Sequence, residues 1–277
     1  MFDPKRQAHD TLRGYRYQIL CSTLAWLRLK DNEVLYLEVT EDFDLHREDE
    51  VTANQVKDLS KSGNLTLRRS EVIDLINNYW TTRDRNPHRK ISYNLLTTAK
   101  VGLEDKEPFG AGVKGIDLWN QATLEDVPAI KKFLIKEGKV GTHIQDFLAK
   151  STDEEILREL ILPIKMYVDE PSQEELFREI EREVISYGQK LTPICPADHS
   201  KKAVEKLTDY VFQKVCTDKK FSIHISDFYE LFQQATGGFL SYAELAEYKQ
   251  LASEVIRLQT RLLALEAPEQ VGALDDA

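Results

Sequence analysis

The sequence predicts an α/β protein: a mixed sheet flanked by helices over roughly the first hundred residues, followed by a mainly helical C-terminal region. Three observations carry this expectation. Apolar residues recur at helical spacing near the N-terminus. They give way to short runs rich in β-branched and aromatic residues, and from Asp117 onward the periodicity is helical again. The chain has 277 residues, 42% hydrophobic and 30% charged, which is enough to bury a sizeable core. No apolar run approaches the ~20 residues of a transmembrane helix, and the opening MFDPKRQAHD is no hydrophobic leader, so a cytoplasmic protein without membrane contact is expected. Cys21, Cys195 and Cys216 include no CxxC pair, which argues against a disulfide framework or a Cys-rich zinc site.

Residues 6–30 form the first expected helix, because Leu12, Tyr15, Ile19, Leu20, Thr23 and Leu27 fall at three- and four-residue steps with no proline between them. Asp31-Asn32 ends it. Residues 34–40 and 51–59 read as strands, and the acidic EDFDLHREDE between them as a continuation of the first plus a hairpin turn. Ser70 is the expected N-cap of a helix reaching about residue 80, with Glu71 in its first turn. A turn over 85–89 leads to a strand at 91–98, nearly uncharged and therefore central. Helices follow at roughly 124–137, 142–149, 153–161, 172–188, 200–217 and 226–235, with ILPIKMYV at 161–168 as a candidate further strand. Leu251, Val255, Leu258, Leu262 and Leu265 step by 4, 3, 4 and 3 along a helix over 242–266, ahead of an acidic tail. That stripe suits self-association or a partner helix, and equally packing on its own domain. The expected divisions are 1–115, 116–240 and 241–277.

The formal net charge is −10, which speaks against non-specific nucleic-acid binding of the histone kind. The distribution is uneven: residues 51–100 carry nine basic and four acidic side chains, whereas 151–200 carry five and twelve. Lys57, Lys61, Arg68, Arg69, Arg83, Arg85, Arg89, Lys90 and Lys100 could meet phosphates if they fold onto one face, or form an ordinary solvated surface. Cys195-x3-His199 lacks a second half and reads as a loop, the glycines around 110–115 and 138–141 read as turns, and Trp26, Trp80 and Trp119 as core.

The chemistry-bearing feature is Glu38, Glu41, Asp42 and Asp44 followed by Gln55-Val56-Lys57. Side chains alternate along a strand, so Glu38, Thr40, Asp42 and Asp44 are expected on one face of a continuous strand, and Gln55 and Lys57 on one face of the next. If the two strands are neighbours, a carboxylate, an amide oxygen and an ammonium converge above Val39 and Val56. That set suits metal-assisted phosphodiester hydrolysis with Mg2+ or Mn2+.

Together, the Gly14-Tyr15-Arg16-Tyr17-Gln18 helix, Glu38-Val39-Thr40-Glu41-Asp42 and Gln55-Val56-Lys57 resemble the restriction-endonuclease-like PD-(D/E)xK superfamily. Within it, they resemble the N-terminal double-stranded DNA endonuclease domains of bacterial antiphage effectors attached to cyclic-oligonucleotide sensors, NLR-like ATPases or HerA-type ATPases. The resemblance covers residues 11–100. It implies a nuclease core in 1–115, with Asp42 as the metal-binding aspartate, Gln55 at the usually acidic position, Lys57 as the catalytic lysine, and Glu38 and Gln18 as accessory residues. Asp42, Gln55, Glu38 and the Val56 carbonyl would hold the metal, and Lys61, Arg68 and Arg69 would meet phosphates. It further implies a double-stranded DNA substrate, a homo-oligomer and an ATPase or sensor partner. Glu41-Asp42 stands where the family favours Asp-Asp, and Gln55 carries no charge. The competing class is a non-catalytic adaptor whose helical half binds a partner.

Overall fold

The computed structural model describes residues 8–60, 63–105, 108–110, 112–137, 140–191, 197–216, 221–236, 250–251, 253–259 and 261. The first helix, α1 (Ala8–Leu27), forms as expected and buries Tyr17, Leu20, Leu24 and Trp26. The acidic segment departs from expectation. Strand β1 (Val34–Leu37) stops at Leu37, Glu38 takes a φ of 52°, and the chain returns as a separate strand β2 (Phe43–Arg47), antiparallel to β1 with Leu37 opposite Phe43. The turn is closed by its own polar groups. Glu38 N–H donates to the Asp42 carbonyl at 3.3 Å, and Thr40 N–H to Asp44 Oδ2 at 3.0 Å. A second hairpin leads to β3 (Glu50–Lys57).

From β3 the chain crosses through α2 (Ser70–Arg85) to β4 (Lys90–Thr97), which lies parallel to β3 in an unbroken register from Glu50↔Lys90 to Lys57↔Thr97. Helix α2 is a turn longer than expected. Ser70 sits inside it with its hydroxyl on Glu71, and Arg69 occupies the N-cap without a side-chain cap. The sheet has six strands in the order β5-β4-β3-β2-β1-β6. Its outer members are β5 (Ile164–Tyr167), parallel to β4 as the apolar run at 161–168 suggested, and β6 (Phe221–Ile223), antiparallel to β1. Parallel pairing around β4 and antiparallel pairing around β2 make it the expected mixed sheet.

A core lies against each face. Val51 and Ala53 belong to one core and Val56 to the other, as alternation along β3 requires. The first core is covered by α2, α3 (Gly115–Asn120), α4 (Val127–Glu137), α5 (Thr142–Lys150) and α6 (Asp153–Ile156), which continues as a π-helical turn over Leu157–Ile161. Thr152 opens α6 with a capping box: it accepts from Glu155 N–H while its own N–H donates to the Glu155 carboxylate. The second core is made by α1, α7 (Gln173–Leu191), α8 (Ala197–Val215) and α9 (Ile225–Thr236). Trp26 and Trp119 are fully buried and Trp80 nearly so, so all three are core residues. Leu251, Val255 and Leu258 are more than half exposed, while Leu262, Leu265 and the Cys195 loop lie outside the described residues. Among the described residues no helix is long and apolar enough to cross a membrane.

Gly102 is fixed by close approach. Gly102 N–H donates to the Leu65 carbonyl at 2.7 Å, and a Cβ there would lie 2.6 Å from Thr66 Cγ2 and 3.1 Å from the Leu65 carbonyl oxygen. Gly102→Ala is therefore expected to cost about 1–3 kcal/mol. The effect would be read as a lower urea midpoint at unchanged slope.

Candidate active site

Four elements meet at the C-terminal end of β3. Helix α1 contributes Gln18, the β1–β2 hairpin contributes Glu38, Glu41 and Asp42, β3 contributes Gln55 and Lys57, and α2 contributes Asn78. Two like charges are held side by side by one amide: Gln18 Nε2 donates to Glu38 Oε1 at 2.8 Å and to Asp42 Oδ1 at 2.7 Å. The other Asp42 oxygen, Oδ2, accepts the Val56 N–H at 2.5 Å, the peptide group between Gln55 and Lys57. Asp42 is thereby tied to the centre of the Gln-Val-Lys run.

Gln55 donates its amide to Glu41 Oε2 at 3.1 Å, and Asn78 donates to Glu41 Oε1 at 2.9 Å. Because the Gln55 nitrogen is committed to a carboxylate, its free polar atom is the oxygen. That atom, Oε1, is buried without a hydrogen-bond partner. A buried acceptor left unpaired is costly and calls for a donor or a cation.

Burial raises the carboxyl pKa of Glu38, and neighbouring Asp42 raises it further, while Gln18 and Lys57 oppose the shift. Glu41 and Asp42 are likewise raised chiefly by burial, the first opposed by Asn78 and the second by the Val56 amide; the Lys57 charge acts on both. Lys57 is thus within electrostatic reach of all three acids. Asp44 is fully buried and pushed up to about 6 by that burial, against the hydrogen bonds it accepts from Thr40.

The strand geometry expected for these acids is corrected in three respects. Glu38 and Asp42 meet across a hairpin, not along one strand face. Strands β1 and β3 are not neighbours, since β2 lies between them. Asp44 turns inward to cap the Thr40 amide, with His46 Nε2 4.0 Å away, and does not join Glu38 and Asp42. Val56 is buried as expected, whereas Val39 is only half-buried.

Of the expected phosphate contacts, Arg68 pairs at 2.7 Å with the buried Glu104 and lies over the Phe133 ring, and Arg69 pairs at 3.0 Å with Glu71. Lys61 lies outside the described residues. Two features escaped sequence reasoning. Asn78 clamps Glu41 from α2. Asp58, directly after Lys57, gathers Arg13 at 3.1 Å, Thr98 Oγ1 at 3.1 Å and Gln173 Nε2 at 3.1 Å, fixing the end of β3 to α1, β4 and α7. The Glu41-Asp42 doublet hinted at the first, but partners this distant in sequence left no signal for the second.

Among the described residues no three His, Cys, Asp or Glu side chains form a ready metal cluster. The donor set here is of another composition: two carboxylates, Glu38 and Asp42, with the amide oxygen of Gln55. All three are oxygen donors, as hard cations prefer. The orphaned Gln55 Oε1 and the desolvated acids both gain from a nearby cation, so these residues fit Mg2+ or Mn2+.

No curated protein matches the chain. Solved chains with a similar arrangement include those of the Acinetobacter baumannii Cap4 SAVED/CARF-domain containing receptor. The complex with 3'3'3'-cAAA is 14% identical at a TM-score of 0.48, with 85% of this chain and 46% of that one covered. The complex with 2'3'3'-cAAA gives 14%, 0.45, 80% and 44%, and a further structure of the receptor 15%, 0.46, 80% and 46%. The chain spans under half the length of these solved proteins. Residues 9–236 match the family model of the Cap4 dsDNA endonuclease domain. The match takes in α1, every strand of the sheet and the helices on both of its faces, and the chain belongs to the Cap4 dsDNA endonuclease domain family.

Proposed function

We propose that this chain is a divalent-cation-dependent DNA endonuclease that serves bacterial antiphage defence and acts when assembled with its own copies or engaged by an ATPase or sensor partner. The observation that carries the reading is the arrangement at the end of β3: Asp42 bonded to the amide of Val56, the residue between Lys57 and Gln55, whose side-chain oxygen is buried without a partner. Asp42, Glu38, Gln55 Oε1 and the Val56 carbonyl would hold Mg2+ or Mn2+. Bound there, the ion supplies neutralisation of the phosphodiester charge and a lowered pKa for water.

The protein's own residues do the rest. Gln18 keeps Glu38 and Asp42 parallel against their mutual repulsion, so that neither must move when DNA arrives. Lys57 orients the attacking water and stabilises the charge that develops on the phosphate oxygens. Asp58 anchors the backbone that carries Lys57. Lys61, Arg68 and Arg69, which follow Lys57 in the sequence, are the proposed phosphate contacts, and contacts of that kind set the register of the duplex.

The test is cleavage of plasmid and linear duplex DNA with Mg2+ or Mn2+, alongside calorimetric titration of Mn2+. Cutting and saturable heat are expected in the wild type. Gln55→Leu should weaken Mn2+ binding by at least about tenfold, since even outer groups of metal sites are worth that much. Absence of both cutting and Mn2+ heat, alone and with a partner ATPase, would favour the adaptor.

A further inference from the structure

A second concave site opens at the opposite end of the same strands. It is a basin of about 560 Å³ at the start of β3 and β4, walled by Arg83, Arg89, Lys90 and Arg158 with Glu50 and Glu159. Its volume falls in the range of about 300–1,000 Å³ typical of ligand pockets. Four cations face two carboxylates there, although the chain as a whole carries −10.

The carboxylates do not exhaust the positive charge. Glu159 is shared by two guanidiniums, Arg83 at 2.7 Å and Arg158 at 2.8 Å, and Arg83 also has Asp84 at 3.6 Å. Glu50 is likewise shared by Lys90 at 2.7 Å and Arg47 at 3.0 Å. Arg89 has the His46 ring at 3.4 Å, an imidazole that carries no negative charge to offset the guanidinium. Guanidinium forks around a concavity match the oxygens of a phosphate group.

Position indicates which phosphate. Strand β3 begins at the basin with Glu50 and Thr52 and ends at the active site with Gln55 and Lys57. At ~3.3 Å per residue, Thr52 and Lys57 are about 17 Å apart, half of a ~34 Å turn of B-DNA. Helix α2 links the two ends as well, with Asn78 at the candidate active site and Arg83, about 7.5 Å further along the helix axis, in the basin.

We infer that this basin is an anion site that receives a backbone phosphate of the duplex about half a turn from the scissile bond. The inference rests on the DNA endonuclease reading for its ligand, but not for its chemistry. It supplies a sequence-independent hold on the DNA, separate from the residues that cut it.

The test is the salt dependence of binding to a fluorescent duplex without divalent metal, for wild type and for Arg89→Ala/Arg158→Ala. Arg83 is kept because it stacks 4.7 Å from Trp80 and pins Glu159. Each lost phosphate contact should lower the slope of log K against log[salt] by ~0.9. The double variant is expected to lose one such contact, to bind several-fold more weakly at low salt, and to cleave saturating DNA at the wild-type rate. Thermal stabilisation by pyrophosphate, measured in parallel, separates the sources of phosphate. If the variant loses pyrophosphate stabilisation while its DNA slope is unchanged, the anion site stands and its ligand is a free phosphate compound. Unchanged slope together with unchanged pyrophosphate stabilisation overturns it. A wild type that binds no DNA defeats the endonuclease reading instead, and the pyrophosphate arm then decides the basin alone.

Discussion

Lys57→Ala is expected to lower the rate of DNA cleavage by about 10²–10⁴-fold, the range for losing a positioned proton-handling or charge-stabilising group. Duplex binding should change little, because one ammonium among many phosphate contacts contributes modestly to affinity. Lys57 sits at a half-buried strand end, and its backbone stays anchored through Asp58, so the melting temperature should hold. Asp42→Asn completes the pair. Asparagine keeps an oxygen to accept the Val56 N–H but removes the charge and turns an amide NH2 toward the Gln18 donor, so Mn2+ binding and cleavage should both fall. A loss in kcat with binding retained identifies groups that act in the transition state. Equal cleavage by wild type and both variants would remove Asp42 and Lys57 from the chemistry and place it at other residues.

Glu104→Ala should destabilise the fold by about 3–5 kcal/mol, the cost of breaking one side of a buried ion pair. Glu104 is almost completely buried. Its Oε1 accepts the Leu67 N–H at 2.7 Å, and its Oε2 pairs with Arg68 at 2.7 Å. Gly115 leaves the space for it, since a Cβ there would lie 2.5 Å from Oε1. Alanine would strand the Leu67 amide and remove the carboxylate that Arg68 pairs with beside Phe133. Glu104→Gln keeps the shape and one acceptor, so it should cost distinctly less. Urea unfolding of the three proteins measures the difference. Near-equal midpoints for wild type and Glu104→Ala would show that water replaces the lost partners.

The elements legible in the sequence were those whose periodicity is long or whose burial is two-sided. Helix α1 declared itself through a stripe from Leu12 to Leu27, and β4 through a nearly uncharged run matching its place between β3 and β5. The β1–β2 hairpin was misread because residues 38–44 alternate like a strand. The break is a positive φ at Glu38, a conformation the residue type does not advertise. Strand β6 has three residues, and its membership depends on pairing with β1, far away in sequence. Helix α3 is six residues long, too short for a periodic signal. In the active site, residue type and spacing singled out Glu38, Asp42, Gln55 and Lys57. The contacts that hold them, from Gln18 across to Asp42 and from Asn78 to Glu41, are tertiary and appear only when α1 and α2 flank the hairpin.

The order of strands has a consequence for when the protein becomes complete. The acids, Gln55 and Lys57 are all synthesised before residue 58, but the strand beside β1 is β6, and the indole of Trp26 bonds to the carbonyl of His224. At ~5–20 residues per second, a ribosome makes the reactive side chains roughly ten to thirty seconds before the segment that frames them. A nascent chain, or one terminated early, carries the chemistry without its scaffold. Completion of the sheet therefore waits for translation through β6, and a fragment released before that point lacks the strand that pairs with β1.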